Sequence, residues 1–246
     1  MPSQRTQEAL DKLKNVRCAD VADALDSLGM PETGFMDPGI RPVWKPVKMV
    51  GIAKTIVLVP RQGQRRYDSF EDYLLQTQVG YVYLKKGPTG VREWENPLDK
   101  YLRSGECLES RVLVYDSGGI PAGFWGSEIS LRAQERGVVG TVIDGGCRDT
   151  EEIELQQYPV FTRHIAPTNG GLRLHPESID VPVKCGGVIV KPGDIILGDT
   201  DGVVVIPPDL ADQVADRALA IHQQDLTWRR LYYEQLGKQP DSTVTE

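Results

Sequence analysis

The sequence predicts a mixed α/β domain with helical segments at both ends. Three observations carry this. Short β-branched runs closed by Gly or Pro recur through the middle and last third. Apolar residues at three- to four-residue spacing occupy both termini. No period-type repeat and no Ser- or Gly-rich linker divides the 246 residues, so one domain over 1–246 is expected, with an insertion at about 61–106 and a C-terminal helix at about 209–237.

In order, Leu10, Leu13 and Val16 share one helical face, and Val21, Leu25 and Leu28 continue the period. Asp20 is the expected cap of the second helix and Gly29 its stop. Four prolines in 30–47 predict an irregular connection before a strand at 49–59, which Pro60 ends. Within 61–106, Phe70, Tyr73 and Leu74 suit a helix and Tyr81–Leu84 a short strand. Its aromatic and basic residues could stack on a nucleic acid, but eight basic residues face seven acidic ones, which favours a solvated lobe. Arg111–Asp116 reads as a strand, and Gly126 opens a helix running to Arg136.

The run from Val138 to Ile143 reads as a buried strand. It is followed by Asp144-Gly145-Gly146, expected to turn, and by a helix from Asp149. Tyr158–Phe161 and the segments 181–190, 195–197 and 203–206 read as further strands. The closing helix places Leu210, Val214, Ala218, Ile221, Trp228 and Leu231 along one side.

Composition excludes several classes. Forty per cent hydrophobic and 26% charged is ordinary globular usage. A net charge of −7 argues against nonspecific nucleic-acid binding. No apolar stretch approaches the roughly 20 residues a membrane span needs, and nothing resembles a signal peptide. Cys18, Cys107, Cys147 and Cys185 lack metal-type spacing and read as reduced thiols of a cytoplasmic protein.

The chemistry concentrates after the central strand. Residues past the C-terminal end of such a strand face the crevice where α/β proteins bind ligands. Arg148 and Asp149 sit there, a cation beside a carboxylate, suggesting a site for an anionic substrate and a metal ion. Asp149 and Glu152 are three apart and share a helix face, suitable for a hard divalent cation. The same spacing is close to a capping box, and taken alone it favours the cap. The N-terminus of the helix after Gly126 offers unpaired N–H groups to a carboxylate. His164, His175 and His222 show no ligand spacing, and Asp199–Gly202 is too short for a calcium loop. Cys147 as a nucleophile and Lys54 as a Schiff-base amine are weaker readings.

The segment from Trp125-Gly126 through Arg136-Gly137 to Asp144-Gly145-Gly146-Cys147-Arg148-Asp149 resembles the family of RraA-like proteins and 4-hydroxy-4-methyl-2-oxoglutarate aldolases. Ala19–Leu25, Val50–Thr55 and the stretch from Pro192 to Pro207 agree with it. Members often carry a dimethylmenaquinone methyltransferase label, which this chain, lacking a Gly-rich nucleotide loop, does not support. The resemblance implies a layered β/β/α, swivelling-domain-like fold and a homotrimer or a hexamer of two trimers. It also implies an aldolase, since Arg148-Asp149 is followed by two residues, Thr150 and Glu151, and then by an acid, Glu152, which is the aldolase pattern.

By that resemblance Asp149 ligates Mg²⁺ or Mn²⁺, and Glu152 acts on the metal through water. Arg148 contacts the substrate carbonyl and carboxylate, and Gly126, Ser127, Glu128 and Ile129 supply backbone N–H groups. The implied reaction is retro-aldol cleavage of a 4-hydroxy-2-oxo acid to pyruvate, with oxaloacetate decarboxylation as a side activity. A non-enzymatic regulator that binds a protein partner is the competing class. One departure stands out: members usually carry an acid directly after the glycine, where this chain has Ser127 and then Glu128.

Overall fold

The computed structural model describes residues 3–30, 34–63, 66–70, 72–73, 83–86, 92–95 and 108–245. Most of the expected insertion, including Leu74 and Tyr81, lies outside the described residues. Helices α1 (Gln4–Leu13) and α2 (Cys18–Ser27) come first. Strands β1 (Arg41–Pro42), β2 (Met49–Pro60), β3 (Tyr83–Lys86), β4 (Arg92–Glu95), β5 (Arg111–Asp116) and β6 (Gly123–Trp125) follow. Then α3 (Ser127–Glu135), β7 (Gly140–Cys147), α4 (Thr150–Leu155) and β8 (Val160–Ile165) alternate. The last third holds β9 (Leu174–Ile179), β10 (Val183–Cys185), β11 (Val188–Val190), β12 (Ile195–Asp199) and β13 (Gly202–Ile206). Helices α5 (Ala211–Gln235) and α6 (Ser242–Thr245) close the chain.

One mixed sheet runs β1-β8-β7-β5-β2-β12-β13. Its centre, β8-β7-β5-β2, is parallel, and its flanks are antiparallel. The two ends approach each other: Phe35 bridges Val204 and Arg41 donates to the Asp201 carbonyl. Two long strands each serve two partners on one edge. β2 pairs with β12 and then β9, and β7 pairs with β5 and then β6.

Three apolar clusters hold the layers together. Leu10, Leu13, Val21 and Leu25 of the first two helices pack with Val214 and Ala218 of α5 onto Ile195, Leu197 and Val204. Beneath α3 and α4 lie Tyr115, Trp125, Ile143, Ile153 and Tyr158. The β10–β11 hairpin covers Val112, Val142, Phe161 and Ile196. Each such fully buried side chain contributes about 1.5–3 kcal/mol.

Three expectations change. First, α2 begins at Cys18, so Arg17 holds the N-cap position and Asp20 caps the helix from its first turn, as the acid of a capping box. There it accepts from the Arg17 N–H and guanidinium and lies 2.9 Å from His222 Nδ1, tying α2 to α5. Second, Trp228 and Leu231 are exposed, because α5 runs past the layer its first half packs on. Third, Asp144-Gly145-Gly146 does not turn but continues β7. Ser117 and the Ala122 carbonyl press so closely that a Cβ would meet Ser117 Oγ at 2.0 Å from Gly145 and Ala122 O at 2.5 Å from Gly146. The glycines serve close packing of strands, not reversal of the chain.

Gly146→Ala is therefore expected to cost on the order of 1–3 kcal/mol in denaturant unfolding, as overpacking against backbone does; wild-type stability would contradict the strand geometry. A second expectation concerns acid. Burial pushes the Asp20 carboxyl up, but the Arg17 hydrogen bonds and charge outweigh it and hold the group below its ordinary 3.8. Its contribution is thus present above 3.8 and lost as pH falls through the lower folded value. Stability should fall more steeply over that window in wild type than in Asp20→Asn, and superimposable pH profiles would remove Asp20 from the account.

Candidate functional site

The site forms where β6 and β7 end side by side. Gly123 pairs with Gly146 and Trp125 with Cys147, and the Arg148 N–H donates to the Trp125 carbonyl at 2.9 Å. The segments that follow, Gly126-Ser127 and Arg148-Asp149, therefore face each other. Trp125 fixes the first turn of α3: its indole N–H donates to Ser130 Oγ at 2.8 Å, and Ser130 donates to the Gly126 carbonyl at 2.9 Å. The indole ring stacks on Tyr158 from below.

The sharp reversal falls at Asp149, with φ 56° and ψ 40°. A non-glycine residue in this left-handed region carries strain on the order of 1–3 kcal/mol. Asp149 occupies the N-cap position of α4, yet its side chain makes no capping hydrogen bond. The carboxylate turns instead toward α3, where Oδ2 accepts from the Ser127 N–H at 3.3 Å and lies 3.6 Å from Arg148 Nε. The capping-box reading of Asp149 and Glu152 is thereby corrected. A Cβ at Gly126 would stand 2.4 Å from Asp149 Oδ2, so a larger residue there would push that carboxylate aside.

A cleft opens at this junction. Gly126, Glu128 and Ile129 form one wall, Arg148 and Asp149 the other, with Phe124 at the base. Arg148 and Asp149 are about one-third exposed, at 38% and 34%. Ser127 contributes its N–H to Asp149. Glu152 is exposed on α4 and does not line the cleft. Sequence reasoning missed Arg132, which lines the cleft and pairs with Glu128. Its signal was available, because Glu128, Ile129 and Arg132 fall at helical i, i+1, i+4 spacing.

Among the described residues, no three His, Cys, Asp or Glu side chains converge as a metal cage. The donor set still fits magnesium or manganese, since Mg²⁺ takes one or two carboxylates and fills its remaining positions with water and substrate. Asp149 is an uncapped, part-exposed carboxylate of that kind.

Other candidates are placed elsewhere. Burial raises the Cys147 thiol to about 12, with Asp149 adding to the shift, which suppresses the thiolate a nucleophile needs. Lys54 is buried and paired with Asp180 at 2.9 Å, so its ammonium is committed to an ion pair rather than to Schiff-base chemistry. His175 lies near Glu177 and His222 beside Asp20. His164 lines a separate pocket with Arg41 and Arg163.

Comparison with known proteins adds a family. A family model described as RraA-like, Aldolase/RraA, matches residues 18–205. The chain is 31% identical over 212 residues to Protein DlpA of Legionella pneumophila, covering 86% of this chain and 29% of that protein. It is 35% identical over 99 residues to the 4-hydroxy-4-methyl-2-oxoglutarate aldolase of Thermus thermophilus, 39% of this chain and 59% of that one. The chain thus spans less than two-thirds of the length of either curated relative. The crystal structure of Streptomyces coelicolor RraAS2, an unusual member of the RNase ES inhibitor RraA protein family, shares the fold with a TM-score of 0.66. It is 24% identical and covers 93% of this chain and 97% of its own.

The strained backbone gives a test that separates cap from site by sign. Loss of a capping side chain costs roughly 0.5–2 kcal/mol. Asp149→Gly removes instead a residue held in the left-handed region, so unfolding stability should stay level or rise by up to about 1 kcal/mol. A clear loss of stability would restore the capping role.

Proposed function

Because the chain belongs to the RraA-like, Aldolase/RraA family, we propose that it is a divalent-metal-dependent carbon–carbon lyase. Its substrate is a 4-hydroxy-2-oxo acid, such as 4-hydroxy-4-methyl-2-oxoglutarate, cleaved to pyruvate in a trimeric or hexameric assembly. The observation that carries this reading is Asp149, a strained and uncapped carboxylate turned into a cleft beside a guanidinium and a helix N-terminus.

Retro-aldol cleavage breaks the C3–C4 bond. The C4 hydroxyl gives up its proton, C4 becomes a carbonyl, and the electron pair of the broken bond becomes the enolate of pyruvate, later protonated at C3. Negative charge therefore grows on the C2 oxygen. Arg148 suits that oxygen, because its planar fork can hold the C1 carboxylate and the C2 oxygen together. The first turn of α3, from Gly126 through Ser127 and Glu128 to Ile129, offers N–H groups to the same carboxylate. Asp149 would hold Mg²⁺ or Mn²⁺, and that ion would supply further positive charge for the enolate. Glu152, exposed on α4 outside the cleft lining, would reach the ion only through water. Oxaloacetate decarboxylation leads to the same enolate and is expected alongside.

The direct experiment measures pyruvate from oxaloacetate and a panel of 4-hydroxy-2-oxo acids, with Mg²⁺ and with EDTA. Pyruvate above the metal-only background, abolished by EDTA and by Asp149→Ala, supports the lyase. No excess pyruvate from any substrate would transfer the assignment to a regulator that binds a protein partner, the class named for the Streptomyces relative.

Arg148 supplies a sharper test. A lysine keeps the charge but loses the fork. If Arg148 stabilises the developing enolate, Arg148→Lys should lower kcat by on the order of 10²–10³ with little change in KM. A raised KM with unchanged kcat would reduce its task to docking, and no change in either would put the site elsewhere.

A further inference from the structure

We infer that Arg132 is the specificity-determining residue of this cleft, docking the second carboxylate of a dicarboxylic 2-oxo acid at the end remote from Arg148. The catalytic consequence rests on the aldolase reading; the binding does not. Two arginines line one small cleft, and the proposed chemistry uses only Arg148. Arg132 stands in the second turn of α3, six residues after Gly126, a rise of roughly 9 Å along the axis. Helical side chains lean toward the N-terminus, so its guanidinium covers the turn at Glu128. Both guanidiniums border the same cleft, where a short-chain diacid could meet one with each carboxylate. Phe124 and Ile129 line the same cleft and offer its carbon chain an apolar surface.

Glu128 shows what this guanidinium accepts. Both Arg132 Nε and Nη2 donate to the single oxygen Glu128 Oε1, at 3.1 and 2.7 Å. That pair leaves the outer Nη1 edge of the fork out of the contact. Glu128 is 73% exposed and Arg132 33%. An exposed i, i+4 pair of this kind is weak and open to exchange for a ligand carboxylate. The charge balance points the same way. Two guanidinium groups face two carboxylates, Asp149 and Glu128, so a cation on Asp149 leaves the cleft with excess positive charge, suited to a dianion.

The test uses two unreactive probes of equal chain length, 2-oxoglutarate and 2-oxopentanoate, which differ only in a distal carboxylate against a methyl group. Calorimetry with Mg²⁺ present should show the intact protein preferring 2-oxoglutarate. Arg132→Gln should erase most of that preference, about tenfold to a hundredfold, the loss expected for a hydrogen bond between charged groups. Glu128→Gln, which releases the guanidinium, should hold or enlarge the preference. An unchanged preference in Arg132→Gln, binding of neither probe, or a loss in Glu128→Gln equal to that in Arg132→Gln would each overturn the assignment. Turnover is assayed separately. An Arg132-dependent preference without pyruvate formation would sink the aldolase reading and leave the docking residue standing; turnover with an Arg132-independent preference would do the reverse.

Discussion

The parallel pairing of β6 with the last residues of β7 is the contact on which the site depends. It brings two chain reversals to the same height on the sheet, the entry to α3 at Gly126 and the entry to α4 at Asp149. The pairing is possible only because the backbones approach closely. A Cβ at Gly123 would stand 2.4 Å from the Ala166 carbonyl, and one at Gly146 is blocked by Ala122. Two glycines, one from each strand, thus bring the segment carrying Arg148 and Asp149 up to the start of α3.

That placement sets up an electrostatic competition. The start of α3 presents unpaired N–H groups and a partial positive charge, which favours an anion. In this structure the anion is the protein's own Asp149 carboxylate, on the Ser127 N–H and near Arg148. On the proposed reading, a substrate carboxylate would seek the same donors. A cation on Asp149 would weaken its hold on the N–H and free that donor, so metal and substrate would bind cooperatively rather than independently. The strain at Asp149 fits this arrangement, because a residue held in the left-handed region has no local reason to stay there.

Much of the fold was legible because β-branched runs and helical periods report burial directly. β2, β5, α3 and the β12–β13 pair fall within a residue or two of their expected bounds. What failed has physical causes. β6 is three residues long, and β9 contains Pro176, so neither carries a strand signature. Asp144-Gly145-Gly146 looks the same as a turn or as a strand packed against backbone, since glycine serves both. The Asp149–Glu152 spacing is common to a helix cap and a metal site. Only the backbone angles and the direction of the Asp149 side chain separate them.

Ser127 is the most instructive local difference from the acid-after-glycine pattern that the family resemblance implies. The nearest acid is Glu128, one residue further on. One step along a helix turns a side chain by about 100° and lifts it by about 1.5 Å. Glu128 therefore does not stand where an acid at 127 would. It faces the cleft wall and holds Arg132, while position 127 meets Asp149 through its backbone N–H alone. The shift takes the acid off the residue whose backbone N–H meets Asp149. It adds a cation–carboxylate pair at the far end of the cleft. The change alters which charges line the cleft and leaves the Arg148–Asp149 junction in place.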